Sequence, residues 1–173
     1  MAEKFRKVVD RYRNSVYTFA YYSLGNKEEA EDTTQEVLMR LWRNWQDLKT
    51  ETMPAWIRRV TRNACIDMIR RRRAYSARVV ASGETLAFDH AVSNEPDPDV
   101  SAENSELRDQ IRRALTTLKE PYRSIVIFRE IQDMRYEQIS ESLDLPLNTV
   151  KSYLHRGRRM LREQLRETLH ERG

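Results

Sequence analysis

The sequence predicts an all-α protein made of two small helical domains joined by a flexible acidic linker. Three observations predict it. Four glycines and five prolines are few for 173 residues, and long stretches are rich in Ala, Leu, Glu, Arg and Gln, which favour helix. Apolar residues recur at helical spacing on both sides of a stretch that lacks such periodicity. Charge is segregated although the net value is only +4. Between Met53 and Arg78, eight arginines face one acid, Asp67; from Val79 to Leu107 there are seven acids and no Lys or Arg. From Leu147 onward, Lys and Arg exceed Asp and Glu by seven to three. Two basic blocks around an acidic one suggest two anion-binding modules on a tether.

The first helix carries Phe5, Val8, Val9, Tyr12, Val16 and Phe19 at helical spacing and runs to about Ser23, where Gly25-Asn26 breaks it. A second begins at Lys27-Glu28-Glu29, whose acids suit a helix N-terminus. It places Val37, Leu38, Leu41, Trp42 and Trp45 on one face and ends near Asp47. Pro54 is suited to open a third, with Ile57, Val60, Ala64 and Met68 as its apolar stripe and Arg70 to Arg73 as its tail. Ser82 to Ser105 reads as linker: in Asn94-Glu95-Pro96-Asp97-Pro98-Asp99 each residue before a proline disfavours helix, so an extended, mobile segment is expected. The expected organisation is 1–78, linker 79–105, and 106–173.

In the second domain Leu107, Ile111, Leu115 and Leu118 share a helix face, and Pro121 opens a helix bearing Ile125, Val126, Phe128 and Ile131. Tyr136, Ile139 and Leu143 mark a short helix, interrupted at Asp144-Leu145-Pro146-Leu147-Asn148 before a long one from about Thr149 to Leu169. A short helix, a tight turn and a longer basic helix form the helix-turn-helix pattern.

Several function classes are excluded. No apolar run approaches the roughly 18 residues needed to span a bilayer, and the N-terminus lacks a signal peptide's apolar core, so a cytoplasmic protein is expected. Lone Cys65 permits neither an intrachain disulfide nor a multi-cysteine zinc site and reads as a packed helical residue. His90, His155 and His170 are scattered, and the chain has no Gly-rich phosphate loop, nucleophile motif or metal-ligand spacing. Neither catalysis, cofactor nor small-molecule substrate is expected.

Three faces remain. On the last helix Val150, Leu154, Gly157, Leu161 and Leu165 form the core stripe. Ser152, His155, Arg156 and Arg159, with Lys151 beside them, offer cationic, hydroxyl and imidazole groups suited to a major groove. On the third helix Trp56, Arg59, Asn63, Asp67 and Arg70 line up along one face, able to stack on unpaired bases, read a base edge and hold phosphates. The second helix is acidic, with Glu28, Glu29, Glu31, Asp32, Gln35 and Glu36, and suits a basic protein partner better than DNA.

These residues carry a resemblance. Ala30-Glu31-Asp32-Thr33-Thr34-Gln35-Glu36-Val37-Leu38 through Leu41-Trp42 resembles region 2.2 of bacterial RNA polymerase sigma factors. Trp56-Ile57-Arg58-Arg59-Val60-Thr61-Arg62-Asn63-Ala64-Cys65-Ile66-Asp67 with its arginine tail resembles regions 2.3 to 2.4. Tyr136 to Ser140 with Pro146 to Ser152 resembles region 4.2. The absence of an intact region 3 between the modules makes the chain most similar to the extracytoplasmic-function group.

The resemblance implies an initiation factor rather than an enzyme. It places Asp32, Gln35 and Glu36 on the clamp helices of the polymerase β′ subunit, with the β flap as a further contact. Asn63, with the loop from Asp47 to Met53, would receive a flipped base of the melted −10 element, while Arg58, Arg59 and Arg62 hold phosphates; Trp56 and Arg70 complete that site. Lys151, Ser152, His155, Arg156 and Arg159 would read the −35 element of promoter DNA. The acidic linker would thread channels that RNA otherwise occupies, and an anti-sigma factor is an implied partner. A competing reading is a transcriptional regulator that binds duplex DNA without polymerase. It leaves the acidic helix and the Trp56/Asn63 face unexplained.

Overall fold

A computed structural model describes residues 1–83 and 102–170. The described residues form an all-α fold of two helical regions. The first holds α1 (Ala2–Leu24), α2 (Lys27–Arg43) and α3 (Met53–Ser82). The second holds α4 (Ala102–Thr117), α5 (Tyr122–Val126) running into a π-helical turn (Ile127–Ile131), α6 (Tyr136–Leu143) and α7 (Leu147–His170). Most of the acidic stretch between them lies outside the described residues. Val79–Ser82 and Ala102–Ser105, which the sequence reading places in the linker, are helical. Nothing from Ala74 to Ser82 breaks a helix, and α3 stops only at Gly83, whose φ of 72° glycine adopts without strain.

Local chemistry sets the other ends. Gly25, at φ 72°, donates its N–H to the Tyr21 carbonyl at 2.9 Å and closes α1. Asn26 then caps α2, its side chain accepting from the Glu29 N–H at 3.0 Å. Pro54 occupies the first turn of α3, where its missing N–H costs nothing. α2 ends at Arg43, a few residues before the sequence reading ends it. Trp45 and Leu48, in the turns that follow, still pack on the first core.

That core joins Val16, Val37, Leu41, Met53, Ile57 and Ala64, flanked by Phe5, which meets Trp42 and Trp45 edge to face at 4.8 and 5.2 Å. Trp42 is nevertheless 51% exposed, so it lies at the edge of the core face to which periodicity assigns it. The second core crosses between regions. Phe19, Ala20, Leu24 and Cys65 join Leu115, Ile125, Phe128, Ile139, Val150 and Leu154, with the Phe19 and Phe128 rings 4.6 Å apart. Burial pushes the Cys65 thiol well above its usual range, which keeps it an inert packing group.

Helix α7 approaches α5 closely at Gly157. A Cβ there would lie 2.7 Å from Val126 Cγ2, a distance at which something must move. Gly157→Ala is expected to lose about 1–3 kcal/mol by overpacking despite alanine's better helix propensity. Chemical denaturation checks this, and unchanged stability would mean the α5–α7 contact is loose.

Candidate nucleic-acid interface

Helix α7 turns Val150, Leu154 and Gly157 into the core, with Leu161 and Leu165 partly covered. The opposite face carries Lys151, Ser152, His155, Arg156 and Arg159, all exposed. Neighbouring Arg158 is used differently: it pairs with Glu130 at the end of the π-helical turn. α6 precedes α7 through Asp144, at φ 53°, whose N–H donates to the Ser140 carbonyl. At the start of α6, the Arg135 N–H donates to Gln138 Oε1 at 3.0 Å. The presented face is thus rigidly held, and it combines fixed cations with groups that both donate and accept hydrogen bonds.

On α3, Trp56 is partly covered and packs against the first core, while Asn63 and Arg70 are exposed. Asn63 offers an amide that can meet a base edge from mid-helix. Arg58, Arg59 and Arg62 are engaged by the second region. Arg58 Nε donates to Ser142 Oγ at 2.7 Å, and Arg59 donates to the carbonyls of Ser142 and Glu141 at 3.2 and 3.1 Å. Arg62 Nε donates to Ser124 Oγ at 3.2 Å, with Glu120 at 3.5 Å. Burial lowers the pKa of Arg58, which Glu141 and Tyr12 partly counter. Within the arginine tail, Arg72 pairs with Glu29 and donates to the Leu24 carbonyl, fastening α3 to the α1–α2 corner. Periodicity carries no sign of these partners, because Glu120, Ser124, Glu141 and Ser142 lie far away in sequence.

The acidic surface is on α2. Asp32 and Gln35 are exposed, and partly covered Glu36 holds Arg40 at 2.5 Å and Arg71 at 4.0 Å. Asp32, Gln35, Glu36 and Arg40, together with Met39 and Arg43, line an open depression. Met39 and Trp42, 55% and 51% exposed, give the helix apolar contact area that the sequence reading missed. The helical spacing from Gln35 to Met39 to Trp42 was the available signal. Among the described residues no group of His, Cys, Asp and Glu could hold a metal, and no helix is long and apolar enough to cross a membrane.

Comparison with known proteins agrees with this layout. Residues 8–75 match the family model for Sigma-70 region 2, and residues 108–161 match that for Sigma-70, region 4. The extracytoplasmic-function sigma factor SigW of Bacillus subtilis is 32% identical over 95% of this chain and 90% of its own length. SigE of Mycolicibacterium smegmatis is 33% identical over 92% of this chain, which spans only 60% of that relative. Among solved structures, the sigma factor RpoE of Bartonella quintana, in complex with the anti-sigma factor NepR, shares the fold at a TM-score of 0.74 and 22% identity, with 95% of this chain and 98% of that one covered. CnrH, in complex with the cytosolic domain of CnrY, gives 0.68 at 19% identity, over 96% and 90% of the two chains. Both matched regions, in this order and over nearly the full length of SigW, make the chain a member of the extracytoplasmic-function RNA polymerase sigma factors.

Proposed function

We propose that the chain binds core RNA polymerase and directs it to specific promoters, the polymerase supplying all the chemistry. The observation that carries this reading is the pairing of two opposed surfaces: an acidic and apolar face on α2, and an exposed basic face on α7. In this reading the 1–78 and 106–173 segments are the polymerase/−10 and −35 domains, joined through the acidic stretch between them. α2 docks on the β′ clamp helices through Asp32, Gln35 and Glu36, and the second region meets the β flap. α6 and α7 act as a helix-turn-helix, with Lys151, Ser152, His155, Arg156 and Arg159 in the major groove of the −35 element. Asn63 receives an unstacked −10 base beside Trp56, Arg58, Arg59 and Arg62 hold the adjacent phosphates, and Arg70 completes the site. Such work places the protein in the cytoplasm, with polymerase on the nucleoid. The solved complex of RpoE with the anti-sigma factor NepR supports an anti-sigma factor as a further partner.

Run-off transcription with core polymerase on a pool of genomic promoter fragments tests the reading. Discrete start sites are expected only when the chain is added. Duplex binding without new starts would favour a stand-alone regulator, and no binding to core polymerase would sink the assignment.

Asn63→Ala separates opening from docking. Polymerase binding and −35 duplex binding are expected to persist, while promoter opening, followed by a fluorescent base in the −10 element, falls roughly tenfold or more, as for loss of one base-edge contact. Unchanged opening would remove Asn63 from the site.

A further inference from the structure

Where α1, α3 and the π-helical turn meet, apolar side chains leave an open pocket of about 180 Å³. Val16, Phe19, Ile57, Phe128 and Met134 line it, and all five are buried. We propose that this pocket binds a small aromatic carboxylate, its single ring among those side chains and its carboxylate held by Arg58 and the Tyr12 hydroxyl. Promoter recognition as read above neither requires nor supplies such a ligand.

Size and surface select the ring. An apolar space of about 150 Å³ holds one benzene molecule. The pocket exceeds that only slightly, so one ring fits within its walls. Phe19 and Phe128, 4.6 Å apart, give that ring aromatic neighbours for edge or offset contacts.

The polar groups select the charge, because most of those around the pocket are already engaged. Ser15 Oγ donates to the Tyr12 carbonyl at 2.9 Å and Thr61 Oγ1 to the Ile57 carbonyl at 2.7 Å. Gln132 Nε2 donates to the Ser15 carbonyl at 2.7 Å. Arg58 spends Nε on Ser142 Oγ. Its terminal nitrogens and the Tyr12 hydroxyl, which also line the pocket, have no hydrogen-bond partner among the described residues. Tyr12 is near enough to act on Arg58 electrostatically, and Arg11, over the Tyr12 ring at 5.5 Å, adds a second cation nearby. Glu141 also acts on Arg58, but its side chain is exposed and it offers Arg59 only its backbone carbonyl. What remains is a set of donors around a partly desolvated cation. A carboxylate, with two acceptor oxygens in one plane, matches a guanidinium fork and has a lone pair left for a phenol. An amine would be repelled, and a neutral alcohol would leave the Arg58 charge uncompensated.

The test uses the full chain, methyl-labelled at methionine and followed by NMR, with benzoate as the probe. Titration is expected to shift the Met134 methyl resonance saturably, whereas that of Met39, 55% exposed on α2, stays in place. Benzamide keeps the ring and the shape without the charge. It is expected to bind at least roughly tenfold more weakly, as for loss of a charge-assisted hydrogen bond. Acetate, charge without ring, is expected to leave Met134 unmoved where benzoate saturates. Tyr12→Phe keeps the wall and is expected to weaken benzoate roughly fivefold, the effect of one lost hydrogen bond. Absence of a saturable shift at Met134 would overturn the proposal. So would benzamide binding as tightly as benzoate, which would mean an apolar space without anion selectivity. An equal response to acetate would overturn it too, as an adventitious ion only, and unchanged affinity in Tyr12→Phe would remove the phenol from the site. None of these outcomes touches the polymerase reading, which run-off transcription decides separately.

Discussion

Phe128→Ala is expected to lower folding stability by about 3–5 kcal/mol, the range for removing a buried aromatic side chain. The ring is 1% exposed, lies in the π-helical turn and tilts against Phe19 of α1. It also lines an open pocket with Tyr12, Ile57 and Met134, so truncation enlarges a space that is already incompletely filled. Partial collapse recovers little here, because the surrounding atoms belong to rigid helices. The melting temperature would fall by roughly 10 °C, readable by calorimetry. A loss near 1 kcal/mol would mean that neighbours fill the space. A double-mutant cycle with Phe19→Ala isolates the contact between the regions. Coupling of about 0.5–1.5 kcal/mol is expected for the aromatic pair, and additivity would show that the two rings act separately.

His155→Ala together with Arg156→Ala is expected to cost about 2–6 kcal/mol of promoter binding, from 1–3 kcal/mol for each base-reading residue. Both side chains are exposed on α7, and neither is assigned to the core, so the fold should be untouched. The loss should depend on the −35 sequence. Competition between a matched promoter and one with a scrambled −35 element measures it. Equal losses on both would leave these residues only a phosphate role. Arg158→Ala makes a useful contrast, since that arginine is spent on Glu130 and its removal should affect the fold more than sequence choice.

What the sequence could reveal depended on how local the physics was. The stripe Val150, Leu154 and Gly157 is periodic, and the structure buries all three. Gly25-Asn26 and Pro54 mark helix ends through backbone chemistry that needs no tertiary context. The π-helical turn escaped because Ile127 to Ile131 has the same composition and spacing as ordinary helix; packing of the second core selects the wider turn. The tail Arg70 to Arg73 looked like a helix end because charge was weighed above the absence of any breaker before Gly83. On α3 the faces of Asn63 and Arg70 were legible as exposed. The engagement of Arg58, Arg59 and Arg62 was not, since their acceptors stand 58 to 84 positions away.

The last turns of α3 face solvent along most of their surface. From Arg73 to Ser82 every residue but Val79 is exposed. A segment of this length has little stability of its own, because helix nucleation is costly and short isolated helices are marginal in water. Local opening there should cost far less than global unfolding. Arg73 and Arg78 therefore present trypsin with its preferred side chain where the backbone most readily unwinds, whereas Arg62 and Arg72 are held by tertiary contacts. Limited digestion would nick the molecule at this overhang first. The two halves would stay associated through the Phe19–Phe128 core until denaturant releases them.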